Sequence, residues 1–144
     1  MNRTAIAACL FVAAATQATA EDIPDLIGTW NIEMSAIGHR HPVDQRAEQP
    51  RILFEGSTAA VIDWQEGVLF SGRDVLEDVP DGFDRVDGEL LSGVIGADNT
   101  TVFMVDDNGT ITCTLISPNQ MNCIYGHIEE SASVAAIVNW TREN

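Results

Sequence analysis

The feature that most limits what this chain can fold into is a two-residue alternation of apolar and polar side chains. It recurs from residue 28 almost to the C-terminus. In the stretch 28–36, Trp30, Ile32 and Met34 share one parity, and Thr29, Asn31, Glu33 and Ser35 share the other. Successive side chains of an extended strand point to opposite sides, so this pattern makes a strand with one apolar and one wet face. No stretch shows a sustained helical period. The spacing predicts further strands near 57–64, 68–75, 88–97, 100–106, 109–116, 120–127 and 132–142.

The breaks between these stretches are short and turn-forming. Gln65-Glu66-Gly67, Asp98-Asn99, Asp107-Asn108-Gly109, Ser117-Pro118-Asn119 and Glu129-Glu130-Ser131 separate consecutive strands, and two longer polar segments, 38–50 and 76–87, complete the set. Turns of this length join antiparallel neighbours. The expectation is therefore an all-β meander of eight strands. The segment 131–138, with three alanines, also reads as a helix. Val134, Val138 and Trp140-Thr141 favour a strand with Val134, Ala136, Val138, Trp140 and Arg142 on one face.

Residues 1–20 are expected to be a bacterial-type signal peptide. Arg3 gives a positive start, residues 6–15 an apolar core, and Ala18-Thr19-Ala20 a small-x-small cleavage site. The apolar run is shorter than the roughly 20 residues that span a bilayer. The expected mature protein, 21–144, is one domain, periplasmic or secreted after cleavage following Ala20. It carries six arginines against 22 acids, a formal −16, and no lysine. Such a field repels phosphate backbones and anionic headgroups, so neither nucleic acid nor a membrane surface is an expected partner.

Cys9 would leave with the signal peptide, and Cys113 and Cys123 would remain as a pair in an oxidising compartment, where a disulfide is the default. Setting Cys113 opposite Cys123 fixes the register of the 109–127 hairpin. Ile111 then faces Tyr125, Leu115 faces Met121, and His127 falls near Gly109 on the cysteine side. Thr112–Ile124 and Thr114–Asn122 fall on the other side. One apolar and one mostly polar face follow from a single assumed bond, which supports both the bond and the hairpin.

Gly28-Thr29-Trp30 at the start of the first strand, seven further meandering strands, and Trp140-Thr141-Arg142 at the end resemble the calycin barrels, that is, lipocalins and avidins. The segment from Gly93-Val94-Ile95-Gly96 through Met104 to Gly109 is also similar to a group of small exported bacterial proteins of this barrel type. The resemblance implies an eight-stranded antiparallel up-and-down β-barrel closed between the first and last strands. It implies structural roles for Gly28, Trp30 and Arg142: the tryptophan plugs one end and the arginine lies across it as a cation–π partner. The tryptophans, serines, tyrosines and asparagines that contact biotin in avidins have no placeable counterparts here. The second lipocalin motif is missing.

Barrels of this size either fill with side chains or hold one small ligand. The preferred expectation is a non-enzymatic binding module for a small apolar or aromatic molecule, with Trp64, Phe70, Phe103, Tyr125 and His127 as lining residues. No cofactor is expected. The alternative is an interaction scaffold, such as an inhibitor of an exported enzyme, working through the 38–50 loop or the acidic connection. A weaker third reading is a metal site at His39 and His41, which lie two apart on extended backbone, with His127 completing it. The carboxylates of Asp74, Glu77, Asp78, Asp81, Asp84, Asp87 and Glu89 are of the kind calcium takes, but their spacing departs from the EF-hand pattern, and charge runs in loops are usually solvated. Gly-x-Ser-x-Gly, His-Glu-x-x-His and glycine-rich phosphate-loop motifs are all lacking, so nothing selects a catalytic group.

Overall fold

A computed structural model describes residues 22–40, 51–75, 88–107, 109–128, 130 and 132–143. The expected signal peptide, with its cleavage site after Ala20, and His41 lie outside the described residues. So do nearly all of the 38–50 loop and the acidic segment 76–87.

Eight strands succeed one another: β1 (Gly28–Arg40), β2 (Arg51–Glu66), β3 (Leu69–Val75), β4 (Leu90–Ile95), β5 (Thr101–Val105), β6 (Gly109–Ser117), β7 (Gln120–Ile128) and β8 (Ala132–Arg142). Each pairs antiparallel with its sequence neighbours, and β1 pairs with β8, closing an up-and-down barrel. Closure pairs the first strand with the last, so neither is an edge strand. The β6–β7 register is the one required by the cysteines: Cys113 faces Cys123, Ile111 faces Tyr125, Leu115 faces Met121 and Gly109 faces His127. The Cys113–Cys123 disulfide joins directly opposed residues whose Cα atoms are 3.9 Å apart.

β1 and β2 run further than the sequence pattern indicates. Their ladder continues through Ala36–Phe54, Ile37–Leu53, Gly38–Ile52 and His39–Arg51. His39, Arg51 and Glu55 occupy outward positions, where an antiparallel sheet tolerates charge. The alanine-containing segment is strand throughout β8. Ala132, Ala136, Val138 and Trp140 are buried on one parity, and tertiary pairing on both sides overrides alanine's helical preference.

The inward positions form one core: Trp30, Ile32, Ala36, Ala60, Ile62, Phe70, Leu91, Ile95, Val102, Met104, Ile111, Met121, Val138 and Trp140, with the disulfide among them. Among the described residues no polar or charged side chain is fully buried. Phe70 fills the space over Gly93, where a Cβ would stand 2.1 Å from the ring. A glycine on β4 is what lets an aromatic side chain of β3 cross the interior.

Two irregularities interrupt the ladders, one between Leu115 and Ser117 on β6 and one on β2, and the second decides which side chains face inward near the base. The β2–β3 register shifts between Ile62 and Trp64, so that Ile62 faces Gly72, Trp64 faces Ser71 and Gln65 faces Phe70. The extra residue, Asp63, reverses the parity of everything after it.

Candidate functional site

The two ends of the barrel are built differently. At the base, residues 24–26 cross beneath the strands and are stitched to the interior. The Trp30 indole N–H donates to the Leu26 carbonyl (3.0 Å), and the Leu26 N–H donates to Gln65 Oε1 (2.8 Å). The Gln65 amide donates in return to the carbonyls of Pro24 (2.9 Å) and Gly67 (3.1 Å). Arg142 donates to the Asp25 carbonyl, and its guanidinium carbon lies 4.8 Å from the Trp30 ring centroid. Trp140 packs at 6.4 Å from Trp30. Leu26 and Trp30 are wholly buried, so this end is shut.

Toward the opposite end, the mouth, inward side chains change from buried to half-buried. Six partly exposed apolar or aromatic side chains pack on the core: Val68 and Leu115 near the base, and Met34 on β1, Phe54 on β2, Tyr125 on β7 and Val134 on β8 toward the mouth. Beside them stand five groups that can carry charge or pass protons. Asp74 is near the end of β3, Glu89 just before β4, Asp106 just after β5, and Tyr125 and His127 on β7. All five are half-buried.

Local structure fixes three of the five. The Asp106 carboxylate accepts the Gly109 N–H across the tight β5–β6 turn, and the Asp106 N–H donates to the Gly109 carbonyl at 3.3 Å. The Tyr125 hydroxyl donates to Asp106 and stands 3.1 Å from Nδ1 of His127. With its one proton given to Asp106, that oxygen accepts from Nδ1. Gly109 is the residue that admits this arrangement: a Cβ there would stand 2.6 Å from the Tyr125 ring and 2.8 Å from its hydroxyl.

Asp74 and Glu89 are less well satisfied. The backbone N–H of Asp74 donates to the Glu89 carbonyl at 3.1 Å. The Asp74 carboxylate also receives the Glu89 N–H, yet its Oδ1 is buried with no hydrogen-bond partner. Burial, then the charges of Glu89 and Asp106, raise Asp74 to about 6. Glu89 is also raised, by burial first and then by Asp106 and Asp107, while His127 pulls it the other way. Burial and the carboxylates of Asp106, Glu89 and Asp74 hold the Tyr125 phenol well above its ordinary value, so it stays protonated. The mouth is a negative field facing into an apolar barrel.

Of the lining residues expected from sequence, Tyr125 and His127 face inward at the mouth. Phe70 also faces inward, but deep in the core and 2% exposed. Two expectations are corrected. Trp64 is outside and 47% exposed, because the Asp63 bulge reverses its parity and turns Gln65 inward instead. Phe103 is outside and 42% exposed, because Val102 and Met104 take the inward positions of β5. His39 pairs with Arg51 and Ser133 at an odd, outward position of β1, so it cannot share a metal with the inward His127. Among the described residues no three His, Cys, Asp or Glu side chains are grouped as a metal site. Two features of the mouth escape a reading of the sequence: Asp106, which looks there like an ordinary turn residue, and the approach of Asp74 to Glu89.

No family model matches the sequence, and no curated protein matches it. Among solved structures, a redesigned β-barrel shares 12% identity at a TM-score of 0.51, covering 83% of this chain and 92% of the other. The S-type phycobiliprotein lyase of Guillardia theta shares 11% identity at a TM-score of 0.35, covering 83% of this chain and 89% of the lyase. At such identity the first likeness speaks to the barrel fold alone.

Proposed function

We propose that this chain is an exported binding module, not an enzyme, whose barrel mouth receives a small molecule with an apolar or aromatic body. What carries the reading is the contrast between the two ends. The base is closed by buried tryptophan and a stitched strap. The mouth leaves Met34, Phe54, Tyr125 and Val134 half-buried around a few convergent polar groups. Small-molecule sites are typically apolar concavities with a small number of placed polar groups, and the end of a barrel is a usual place for them. The Cys113–Cys123 disulfide is consistent with an oxidising, exported location.

The test is native mass spectrometry of protein exported with its own signal peptide, compared with the denatured mass. A native excess of a few hundred daltons, lost on denaturation, supports the module. A denatured mass equal to residues 21–144 less two hydrogens establishes cleavage after Ala20 together with the disulfide. Bare protein that also takes up no apolar or aromatic compound from an added panel rejects the module.

A second reading, an interaction scaffold, is favoured by one observation on the outer surface. Leu53, Ile37, Ile137 and Ile124 are exposed and adjacent across β2, β1, β8 and β7, with Ile37 opposite Leu53 and Ile124 opposite Ile137. Exposed apolar groups that touch one another mark contact surfaces more often than scattered ones do. Replacing Leu53 and Ile137 with serine should leave the barrel folded and abolish any complex formed through this face.

A further inference from the structure

The outer wall made by β7, β8, β1 and the first part of β2 carries a self-complementary pattern. Leu53, Ile37, Ala135 and Gly126 stand opposite one another across β2, β1, β8 and β7 in a single row. Two residues to either side of that row, β2 presents Arg51 and Glu55, and β7 presents Ile128 and Ile124. Arg51 and Ile128 share the row toward the mouth, through His39 and Ser133, and Glu55 and Ile124 share the row toward the base, through Ser35 and Ile137. The aliphatic members are unusually bare for a sheet surface: Leu53 and Ile128 are 78% exposed, Ile124 68% and Ile137 66%.

Charge indicates what can cover this wall. Six arginines against 22 acids give the expected mature chain a formal −16, so copies of it repel one another. They meet most favourably through a face that lacks this charge. At the outward positions of β7, β8, β1 and β2 as far as Val61, the charged side chains are Glu33, Glu55 and Arg51. A basic partner would gain little here, because exposed acids such as Asp98, Asp107 and Glu130 lie in the turns instead.

Resting on the second reading of this face as a contact surface, we propose that its occupant is a second copy of the same chain. A two-fold axis lying in the wall along the middle row runs the two sets of strands antiparallel, and makes the contact isologous. Leu53 and Ile37 then each meet their own copies. Arg51 stands over Glu55 of the second copy and Glu55 over Arg51, so two ion pairs flank the aliphatic centre. On the other side Ile124 and Ile128 meet in the same reciprocal way. Ala135 and Gly126, small members of the middle row, let the two walls approach. The wall is about 20 Å across its strands and about 35 Å along them, roughly 700 Å² before curvature is allowed for. That is below the about 800 Å² per partner of a standard interface, so the dimer is a reversible one.

Equilibrium sedimentation of the mature, disulfide-bonded protein in physiological salt, from micromolar to millimolar concentration, tests this. A monomer–dimer equilibrium is expected. Leu53→Ser should weaken it tenfold or more. Arg51→Glu and Glu55→Arg should each do the same, because each sets like charges against one another at two places. The double reversal Arg51→Glu/Glu55→Arg should restore association, and the two single variants, mixed, should pair with each other more tightly than either pairs with itself. Circular dichroism confirms that every variant is folded. A monomer at all concentrations, a dimer indifferent to both reversals, or a double reversal that restores nothing overturns the assignment. The contact-surface reading fails separately, if the Leu53 and Ile137 serine replacements leave every complex of the protein intact.

Discussion

Asp74→Asn should make the unliganded protein more stable at neutral pH, although it removes a charged side chain from an acid-rich protein. The folded state raises Asp74 from 3.8 to about 6, first by burial and then through Glu89 and Asp106. Between those two values the folded protein keeps a proton that the unfolded chain has released. Stability therefore declines as pH rises from about 4 to about 6 and stays lower above that. A shift of two units corresponds to about 3 kcal/mol at full strength. Asp74 is only partly buried, and screening by solvent reduces the expected cost to about 1–2 kcal/mol. Asparagine keeps the shape and carries no charge. Urea unfolding of both proteins with the disulfide intact, at pH 4, 5, 6 and 7.5, measures the difference. The two should coincide near pH 4 and separate upward, with the variant more stable by about 1–2 kcal/mol at pH 7.5. The other acids titrate in both proteins, so the difference isolates Asp74. A variant that is less stable at pH 7.5 than at pH 4, relative to wild type, would refute the reasoning, because it would mean that the anion is a net stabilising acceptor.

Removing the disulfide with Cys113→Ala/Cys123→Ala should cost roughly 2–3 kcal/mol from the freed ten-residue loop, read as a lower urea midpoint with the same slope. Trp30→Ala should cost about 3–5 kcal/mol, since the indole is wholly buried and holds the Leu26 carbonyl. Gln65→Ala breaks both directions of the clamp on the strap, and should cost about 1–3 kcal/mol while making residues 22–27 the first site of limited proteolysis. Gly109→Ala pushes a methyl into the Tyr125 ring, and should weaken binding of any ligand at the mouth more than it lowers the melting temperature.

The scaffold is legible in the sequence because the signals that specify a sheet are local. Parity identifies the inward face of β1 and β8, and one assumed bond sets the β6–β7 register residue by residue. Where two strands run on through charged outward residues, composition imitates a loop. The lining set is harder to read where parity is masked or interrupted. In β5 every position but the first is apolar, so only the burial of Val102 and Met104 shows that Phe103 must face out. In β2 the bulge at Asp63 exchanges the positions of Trp64 and Gln65, and nothing in that stretch of sequence announces a bulge. The mouth cluster does leave a signal. Counting by twos from Phe70 reaches Asp74, and counting by twos from Val102 reaches Asp106. An acid on the inward parity at a strand's end differs from an acid in a loop, although composition treats them alike.

That distinction bears on why the chain carries charge here at all. Most of its 22 acids can serve solubility from any wet position, at little cost to the fold. Asp74 cannot: its position depletes water around it, sets it near Glu89 and Asp106, and leaves one oxygen without a donor. The base is not free of such groups either: Gln65 is bonded through both ends of its amide, while Trp140 Nε1 and Arg142 Nε are buried without a hydrogen-bond partner. What sets Asp74 apart is charge: its unpartnered oxygen belongs to an acid that burial and the neighbouring Glu89 and Asp106 hold protonated up to about pH 6. Removing that charge should therefore raise stability at pH 7.5 and leave it unchanged near pH 4, an outcome that an ordinary solvated acid does not produce.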